Sequence, residues 1–400
     1  MVHPANKGLN FTFDGSVSRE VLCNYLSRML NHTFLSEDRS HLEADIQLIK
    51  NVGAKYIGRA CTPWIMSGAD LEYIPRYKDA IDEIHAYDSE IVLEACIFET
   101  AFDGIEEIPI PAWVFEAFNL PVEKHNFNKA AMLFPDGWKD KLWGEHGGVP
   151  DTTQLETQMW FYYRACLFID MGFEAIHMGQ VMLMGYRDTD YAASTKLYNM
   201  IRSYAKKHAR RHFVFLNAHA YTIVGTDGKL LQDFHLYPLW GGYVPEGEID
   251  HVPMEGNPQR MLFDDSDPNG IYHKNAGGMT HSGWYCDSLP YAVEMDNYCG
   301  HHPDRVNTAC KWWGYDQISW FANQPHAYKK EWLSYAWYRL RDLSGGIGYF
   351  EMPANRTAAI YDPSTGKITQ GFFHANSREY DPTGTDTEQL IAQIWIDSAQ

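Results

Sequence analysis

The stretch LPYAVEMDN, residues 289–297, is an apolar run that ends with two acidic residues, Glu294 and Asp296. Side chains alternate between the two faces of a strand, so both carboxylates are expected on the same side of the strand's end. Burying a charge costs on the order of several kcal/mol unless the charge is paired. The stretch therefore predicts a buried strand that carries a functional acidic pair at one edge of a sheet.

Seven other segments have a similar strand character. The eight predicted strands lie within residues 30–35, 55–60, 90–99, 173–181, 212–219, 230–240, 289–297 and 345–356. Amphipathic patterns predict helices at residues 18–29, 41–53, 77–88, 152–172, 191–210, 325–343 and 387–399. No convincing helix appears at 219–233 or 241–289. Strands that alternate with helices indicate an α/β fold, namely a (β/α)8 TIM barrel with long loops at the C-terminal face of the strands.

The chain of 400 residues is interpreted as one catalytic domain, with a barrel core at about 18–360 and a C-terminal extension at about 361–400. Its formal charge of −19 argues against nucleic acid or an anionic membrane as a partner. The N-terminal residues lack the apolar core of a secretion signal, so we expect a cytoplasmic protein or one whose signal has been removed. The seven cysteines contain no C-x-x-C pair, and neither a cofactor nor a metal is predicted.

Polar side chains gather where the predicted strands end, which is where barrel enzymes carry their catalytic groups. The second, third and fourth strands end near Arg59, Glu99 and Gln180. The remaining strand-end residues are Asn217 and His219 on strand five, His235 and Tyr237 on strand six, Glu294 and Asp296 on strand seven, and Glu351 on strand eight. A merely solvated surface would not collect polar groups at one end of each strand.

The arrangement resembles the clan A glycoside hydrolases over about residues 18–360. In those retaining barrel enzymes an acid/base Glu ends strand four, a nucleophilic Glu ends strand seven, and an Arg commonly ends strand two. The matching positions here are Gln180, Glu294 and Arg59. The resemblance therefore implies a glycoside hydrolase with Glu294 as nucleophile, helped by Asp296, which orients it or grips a sugar hydroxyl.

Position 180 departs from the clan A pattern. The strand-four acid usually follows an Asn, whereas here Gly179 precedes Gln180. A glutamine cannot donate a proton as a general acid. Either this Gln replaces a catalytic Glu in an inactivated variant, or it is native and another carboxyl, such as Glu99, Asp296 or Glu351, is the acid.

The resemblance implies a carbohydrate partner, and the 14% of aromatic residues fit both a large aromatic core and a cleft whose rings stack on sugar faces. The candidate platforms are Trp64, Trp240, Trp284 and Tyr298. Asn217, His219, His235 and Tyr237 are predicted to add polar contacts. Histidines 32, 219 and 235 with Arg59 and Arg187 would suit an acidic or sulfated sugar, although neutral sugars fit as well. The sequence does not indicate the linkage, the stereochemistry or the oligomeric state.

Two other functions fit parts of the sequence. One is a metal-dependent barrel hydrolase or isomerase, in which His32, His177, His219 and His235 join Asp233 or Glu294 as ligands. The absence of an H-x-H pair on strand one and of an H-E-x-x-H helix argues against it. The other is a non-catalytic carbohydrate-binding barrel, which would follow if Gln180 is native and no other acid replaces it.

Overall fold

Eight parallel strands form a closed ring in the computed structural model, which describes residues 2–243, 261–297, 316–362 and 364–399. They are β1 Met29–Asn31, β2 Tyr56–Cys61, β3 Val92–Cys96, β4 Ala175–His177, β5 Phe215–Ala218, β6 Phe234–Pro238, β7 Tyr291–Glu294 and β8, which consists of Gly348–Phe350 and Met352–Pro353. Each strand pairs in parallel with the next along the chain. The first half of β8 pairs with β7 and its second half with β1, which closes the ring. The predicted (β/α)8 barrel is confirmed.

The helices that pack around the ring follow the predicted pattern. The long ones are α1 Arg19–Leu26, α2 Leu42–Val52, α3 Lys78–Tyr87, α4 Leu155–Met171, α5 Ala192–His208, α6 His326–Ser344 and α7 Thr387–Asp397. Short α-helices are Asp70–Tyr73, Ala112–Ala117, Lys129–Met132, Val181–Met184 and Gln317–Ala322, and 3-10 turns are Pro4–Asn6, Ile74–Tyr77, Asp103–Glu107 and Thr189–Tyr191. Ser18 caps α1, and Gly53 ends α2 in the left-handed conformation.

The described residues that join β5 to β6 and β6 to β7 contain no helix. This agrees with the prediction for 219–233 and for the described part of 241–289, whereas residues 244–260 lie outside the described ranges. Short antiparallel pairs replace helices there and elsewhere: Ala101–Phe102 with Gly147–Gly148, Gly241–Tyr243 with Met261–Phe263, Gly278–Met279 with Tyr285–Cys286, and Arg356–Asp362 with Lys367–Phe373.

Aromatic and aliphatic side chains fill the N-terminal half of the barrel. The Tyr56 ring lies 6.1 Å from that of Phe215 and 5.8 Å from that of Phe234, across the ring of strands. Phe11 and Phe13, from the segment that precedes α1, pack beneath them. Burial of these rings removes apolar surface from water, the main favourable term in folding. The polar residues of the strands therefore collect in the C-terminal half.

The residues after β8 form a hairpin and α7, which lie against the barrel. The Arg28 guanidinium is 5.8 Å from the centre of the Trp395 ring, and Asn51 on α2 donates a 2.9 Å hydrogen bond to Glu388 on α7. Trp395 is fully buried in the main hydrophobic core. The extension thus contributes to the core around the barrel.

None of the helices in the described ranges combines the length and apolarity that crossing a membrane requires. The five cysteines within these ranges, residues 23, 61, 96, 166 and 286, are free thiols.

We expect Glu174→Ala to lower the free energy of unfolding by about 1–3 kcal/mol, because it leaves the partly buried Arg211 and the more exposed Arg210 without their carboxylate partner. Glu174 precedes β4, is fully buried, and accepts hydrogen bonds of 2.7–2.8 Å from Arg210 and Arg211. Denaturant unfolding measures the loss. Asp82→Ala, which breaks an exposed pair with Lys78, is the control and should change stability by less than about 0.5 kcal/mol. Equal losses in the two variants would contradict the prediction.

Candidate active site

The C-terminal ends of the strands surround a cavity of about 480 Å³. Its volume is typical of small-molecule sites, which enclose about 300–1,000 Å³. The lining side chains are Thr33, Arg59, Thr62, Trp64, Phe98, Glu99, Trp143, His177, Gln180, His219, Asp296, Asn297, Arg356 and Thr357. Six of them were predicted from the sequence: Arg59, Trp64, Glu99, Gln180, His219 and Asp296.

A buried ion pair between Glu294 and Arg59 forms the floor of the cavity. Arg59 Nε donates to Glu294 Oε2 at 2.5 Å, and Arg59 Nη2 donates to Oε1. His219 Nε2 and Asn31 Nδ2 each add a donor at 2.7 Å, one to each oxygen. Burial alone would raise the pKa of Glu294, but the Arg59 charge and the His219 hydrogen bond hold it well below its usual range. Glu294 is therefore a carboxylate with both oxygens occupied and no exposed surface.

A β-bulge points Arg59 into the barrel. The pairing of β2 with β3 shifts between Ile57 and Cys61, and Arg59 has a left-handed φ of 56°. The Arg59 amide then donates at 3.1 Å to a side-chain oxygen of β3, Glu94 Oε1. Bulges and non-glycine residues with positive φ cluster at functional sites, where the surroundings hold the strained backbone in place.

A second layer of acids lies beneath the ion pair. Glu94 accepts hydrogen bonds of 2.6 Å from both Tyr56 and Asn217, and Glu351 accepts one of 3.0 Å from Asn31. Burial, followed by the charges of Glu294 and Glu94, raises the pKa of Glu351 well above its usual range. Glu351 therefore favours its neutral form. Asn217 and Glu351 are fully buried below the cavity and do not line it.

Glu99 and Gln180 form a hydrogen-bonded pair on the β3–β4 side of the cavity. The Gln180 amide Nε2 donates to Glu99 Oε1 at 2.7 Å, and the Gln180 backbone N–H donates to Oε2 at 2.9 Å. Gly179 has a φ of 64°, and a Cβ there would lie 2.3 Å from Glu99 Oε2. A glycine before position 180 is thus what lets the Glu99 carboxylate reach the backbone, which gives the departure from the clan A pattern a structural reason.

Asp296 faces the cavity from the end of β7. Its side chain is 15% exposed, whereas that of Glu294 is fully buried. Arg59 Nη2 lies 3.3 Å and Arg356 Nη2 lies 3.9 Å from Asp296 Oδ1. Arg356 is held by hydrogen bonds to Asn31 at 2.6 Å and Asn297 at 2.5 Å. Asp296 is thus a carboxylate that a ligand can reach, flanked by two fixed guanidinium groups.

Aromatic rings form one wall of the cavity. Trp64 contacts Phe98 at 5.0 Å and Trp143 at 5.2 Å between ring centres, and Trp143 Nε1 donates to the Glu99 carbonyl at 2.9 Å. The three rings therefore present an aromatic surface to the cavity, and Trp143 also positions the backbone of Glu99.

Two predicted site residues, His235 and Tyr237, do not reach the cavity. They lie on the outer face of β6, because its neighbours Phe234 and Leu236 point into the barrel core. His235 contacts Thr222 at 3.1 Å, and Tyr237 packs against Tyr291. Among the described residues, the loop that carries Thr222 contacts this face, so its polar residues are buried but do not line the cavity.

Two of the predicted aromatic platforms also lie away from the cavity. Trp284 packs at the N-terminal end of the barrel, where its Nε1 donates to the Val17 carbonyl at 2.9 Å. Trp240 is 58% exposed and does not line the cavity, and Tyr298 lies outside the described residues. Arg187, proposed for an anionic sugar, pairs with Asp136 at the surface.

Several residues of the site were missed in the sequence. Asn31 and Arg356 bind Glu294 or its neighbours, and both follow the strand-end rule that identified the others. Asn297 comes directly after Asp296 and could have been found in the same way. Trp143 comes from the long 100–152 loop, where no periodic signal marks a position.

His219, Glu294 and Asp296 also place ligand atoms within 4.8 Å of one another, a spacing open to a metal ion. Arg59 and Arg356 already neutralise these carboxylates, which disfavours a divalent cation. The other predicted ligands do not join this group: His177 contacts Asn217 at 2.8 Å, and the Asn355 N–H lies 3.3 Å from His32.

No known protein-family model matches the chain, and no curated protein matches it significantly. Weak structural similarity is found to a GH27 β-L-arabinopyranosidase from Geobacillus stearothermophilus, solved as a variant in complex with arabinose (TM-score 0.32, 11% identity, 54% of this chain and 56% of that one). The wild-type enzyme gives a TM-score of 0.29 at 11% identity, with 49% of each chain covered. This chain thus spans about half the length of these enzymes.

A third similar structure is the debranching enzyme of Nostoc punctiforme, from an acarbose-soaked crystal. It has a TM-score of 0.38 and 10% identity, and the match covers 92% of this chain and 79% of that one. All three are glycoside hydrolases. Similarity at this level carries no argument about the activity of this chain, and the barrel assignment rests on its own strand order.

We expect Glu351→Gln to stabilise the protein increasingly as the pH rises. The pKa of Glu351 is higher in the folded chain than in the unfolded one, where it is about 4.3. Its contribution is complete below that value and is lost as the pH rises toward the folded pKa. Glutamine stays neutral, so the stability gain should grow by up to about 1.4 kcal/mol per pH unit.

Unfolding curves of wild type and variant from pH 5 to pH 9 measure this gain. Glu116→Gln, on an exposed helix position, controls for the substitution itself. A difference between wild type and Glu351→Gln that stays constant with pH would show that the Glu351 carboxyl does not titrate as described.

Proposed function

We propose that this chain is a glycoside hydrolase that holds a sugar ring between Glu99 and Asp296. The observation that carries the proposal is that both carboxyl side chains line one cavity from opposite sides of the barrel. Glu99 follows β3 and Asp296 follows β7, and these strands are four apart in a ring of eight. Hydrolysis of a glycosidic bond by the common route requires two carboxyl groups on either side of that bond.

Asp296 is the better candidate for the carboxylate that attacks the sugar or activates water. The clan A resemblance implied Glu294 for this role. Every oxygen of Glu294 accepts hydrogen bonds, and none is exposed, so it would have to leave Arg59 to react. In the proposed site, the ion pair with Glu294 instead holds the Arg59 guanidinium in position, and Arg59 in turn positions the Asp296 carboxylate.

Glu99 is the ionisable group of the acid/base side, because Gln180 cannot release a proton. Both Glu99 oxygens accept hydrogen bonds from Gln180 and are therefore not free to donate a proton to the leaving oxygen. A glutamate at position 180 would place two carboxyl groups within hydrogen-bonding distance, where one proton is shared and held more firmly. Proton donation to the leaving oxygen should therefore be inefficient in this chain and more efficient in the Gln180→Glu variant.

The neutral and charged donors of the cavity suit the hydroxyl groups of a sugar. Gln180, His219, Asn297 and the two arginines surround the space, and the Trp64–Trp143 wall offers a ring face for stacking. The guanidinium groups are already paired with Glu294 and Asp296, which supports a neutral sugar as readily as a sulfated one.

The test is hydrolysis of a panel of neutral and sulfated oligosaccharides and of activated aryl glycosides, whose leaving groups need no proton. This chain should cleave the aryl glycosides better than the oligosaccharides. Gln180→Glu should raise the rate on oligosaccharides by more than about tenfold, since general acid catalysis is worth about 10²–10⁴-fold. Absence of cleavage by both proteins, with binding retained, would favour the carbohydrate-binding barrel.

Variants of the acids separate their roles. Asp296→Gly should lose activity on every substrate, and added azide should restore it on aryl glycosides if Asp296 is the nucleophile. Glu294→Gln should lose activity without azide rescue, because the residue acts through Arg59. Asp136→Asn, an exposed carboxylate outside the cavity, is the matched control and should keep full activity. Rescue of a Glu294→Gly variant instead of Asp296→Gly would reverse the assignment.

A further inference from the structure

A second cluster of ionisable side chains lies where the C-terminal extension meets the barrel. It consists of His41, the residue before α2, together with His374 and Asp381 from the extension. Asp381 Oδ2 lies 2.8 Å from His41 Nδ1 and 3.5 Å from His374 Nδ1, and the two imidazole rings are 4.5 Å apart. None of the three lines the cavity of the candidate active site.

These distances match the spacing of ligands around a small divalent ion. Zinc bonds to nitrogen and oxygen at about 2.0–2.2 Å in a tetrahedron, which sets neighbouring ligand atoms about 3.3–3.5 Å apart. The three ligand atoms of the cluster all lie within 4.8 Å of one another. Side-chain movements of up to about 1.5 Å at His41 and His374 would bring them into that geometry.

One atom of the cluster lacks any partner among the described residues. His374 Nδ1 is buried, and its 3.5 Å approach to Asp381 does not form a hydrogen bond. A buried polar nitrogen without a partner is unfavourable and calls for an explanation. A simple His41–Asp381 ion pair explains two of the three residues and leaves this nitrogen without a function.

The remaining Asp381 oxygen is held as in protein metal sites. Asp381 Oδ1 accepts from the Thr383 N–H at 2.8 Å and from Thr383 Oγ1 at 2.7 Å, which orients the carboxylate. The His374 carbonyl is fixed by Thr385. The His41 side chain is 35% exposed and gives an ion a route from solvent.

We infer that His41, His374 and Asp381, with a water molecule as the fourth ligand, form a Zn²⁺ site that ties the C-terminal extension to the start of α2. The ligands come from residues more than 300 positions apart in the chain, so one ion would cross-link the two ends of the fold. The site is separate from the proposed catalysis, and failure of either proposal leaves the other intact.

The test is zinc binding by the full chain after treatment with a chelator. We expect one Zn²⁺ per chain by calorimetry and elemental analysis, and a higher Tm with zinc. His374→Ala should weaken binding by more than about 100-fold. Thr383→Val keeps all three ligands and should weaken binding by about 10–100-fold, which preserves the test if His374→Ala folds poorly. Co²⁺ bound in place of zinc should show visible absorption that His374→Ala lacks.

Two controls locate the ion. His146→Ala removes an exposed histidine that contacts a single carboxylate, Asp103, and should bind zinc as the wild type does. His219→Ala removes the histidine of the cavity cluster and should also leave zinc binding unchanged. Absence of stoichiometric zinc in the wild type would overturn the inference. So would loss of binding in His219→Ala with binding retained in His374→Ala.

Discussion

The site depends on one fully desolvated ion pair, Arg59–Glu294. Removal of one partner from such a pair costs about 3–5 kcal/mol, so each residue constrains the other. Arg59 reaches Glu294 only because β2 bulges and takes a left-handed conformation. The charge of Glu294 in turn favours the neutral form of Glu351 beneath it. The left-handed backbone of Arg59, the neutral form of Glu351 and the position of Asp296 in the cavity are all linked to this pair.

Most of the fold could be predicted because periodicity and strand ends are local signals. All eight barrel strands lie at or within one residue of the predicted segments, and the described residues of the β5–β6 and β6–β7 connections contain no helix, as predicted. The strand-end rule found Glu294, Asp296, Glu99 and Gln180, and the same rule applied to β1 and β8 would have found Asn31 and Arg356. These residues are close in space only because the ring closes.

The errors concern which way a side chain points. His235 and Tyr237 lie on one face of β6, but the sequence does not say which of the two faces of a strand is inside, and the outer face of β6 buries polar groups as well. Arg59 shows the opposite case. Gly58 faces inward, because a Cβ there would lie 1.9 Å from Glu351 Oε1, and simple alternation would turn the next residue outward. The bulge points both inward, and no sequence pattern announces it.

The loop segments next to β6 have a consequence for how the barrel opens. Among the described residues, these segments are held by contacts such as Thr222 with the Ala276 carbonyl and Asn275 with the Leu289 carbonyl. Segments with few packed neighbours open at lower free energy than the rest of a domain. Amide protons of β6 should therefore exchange with solvent earlier than those of β3 or β4. Local unfolding would then begin at β6, next to the strand that carries Glu294.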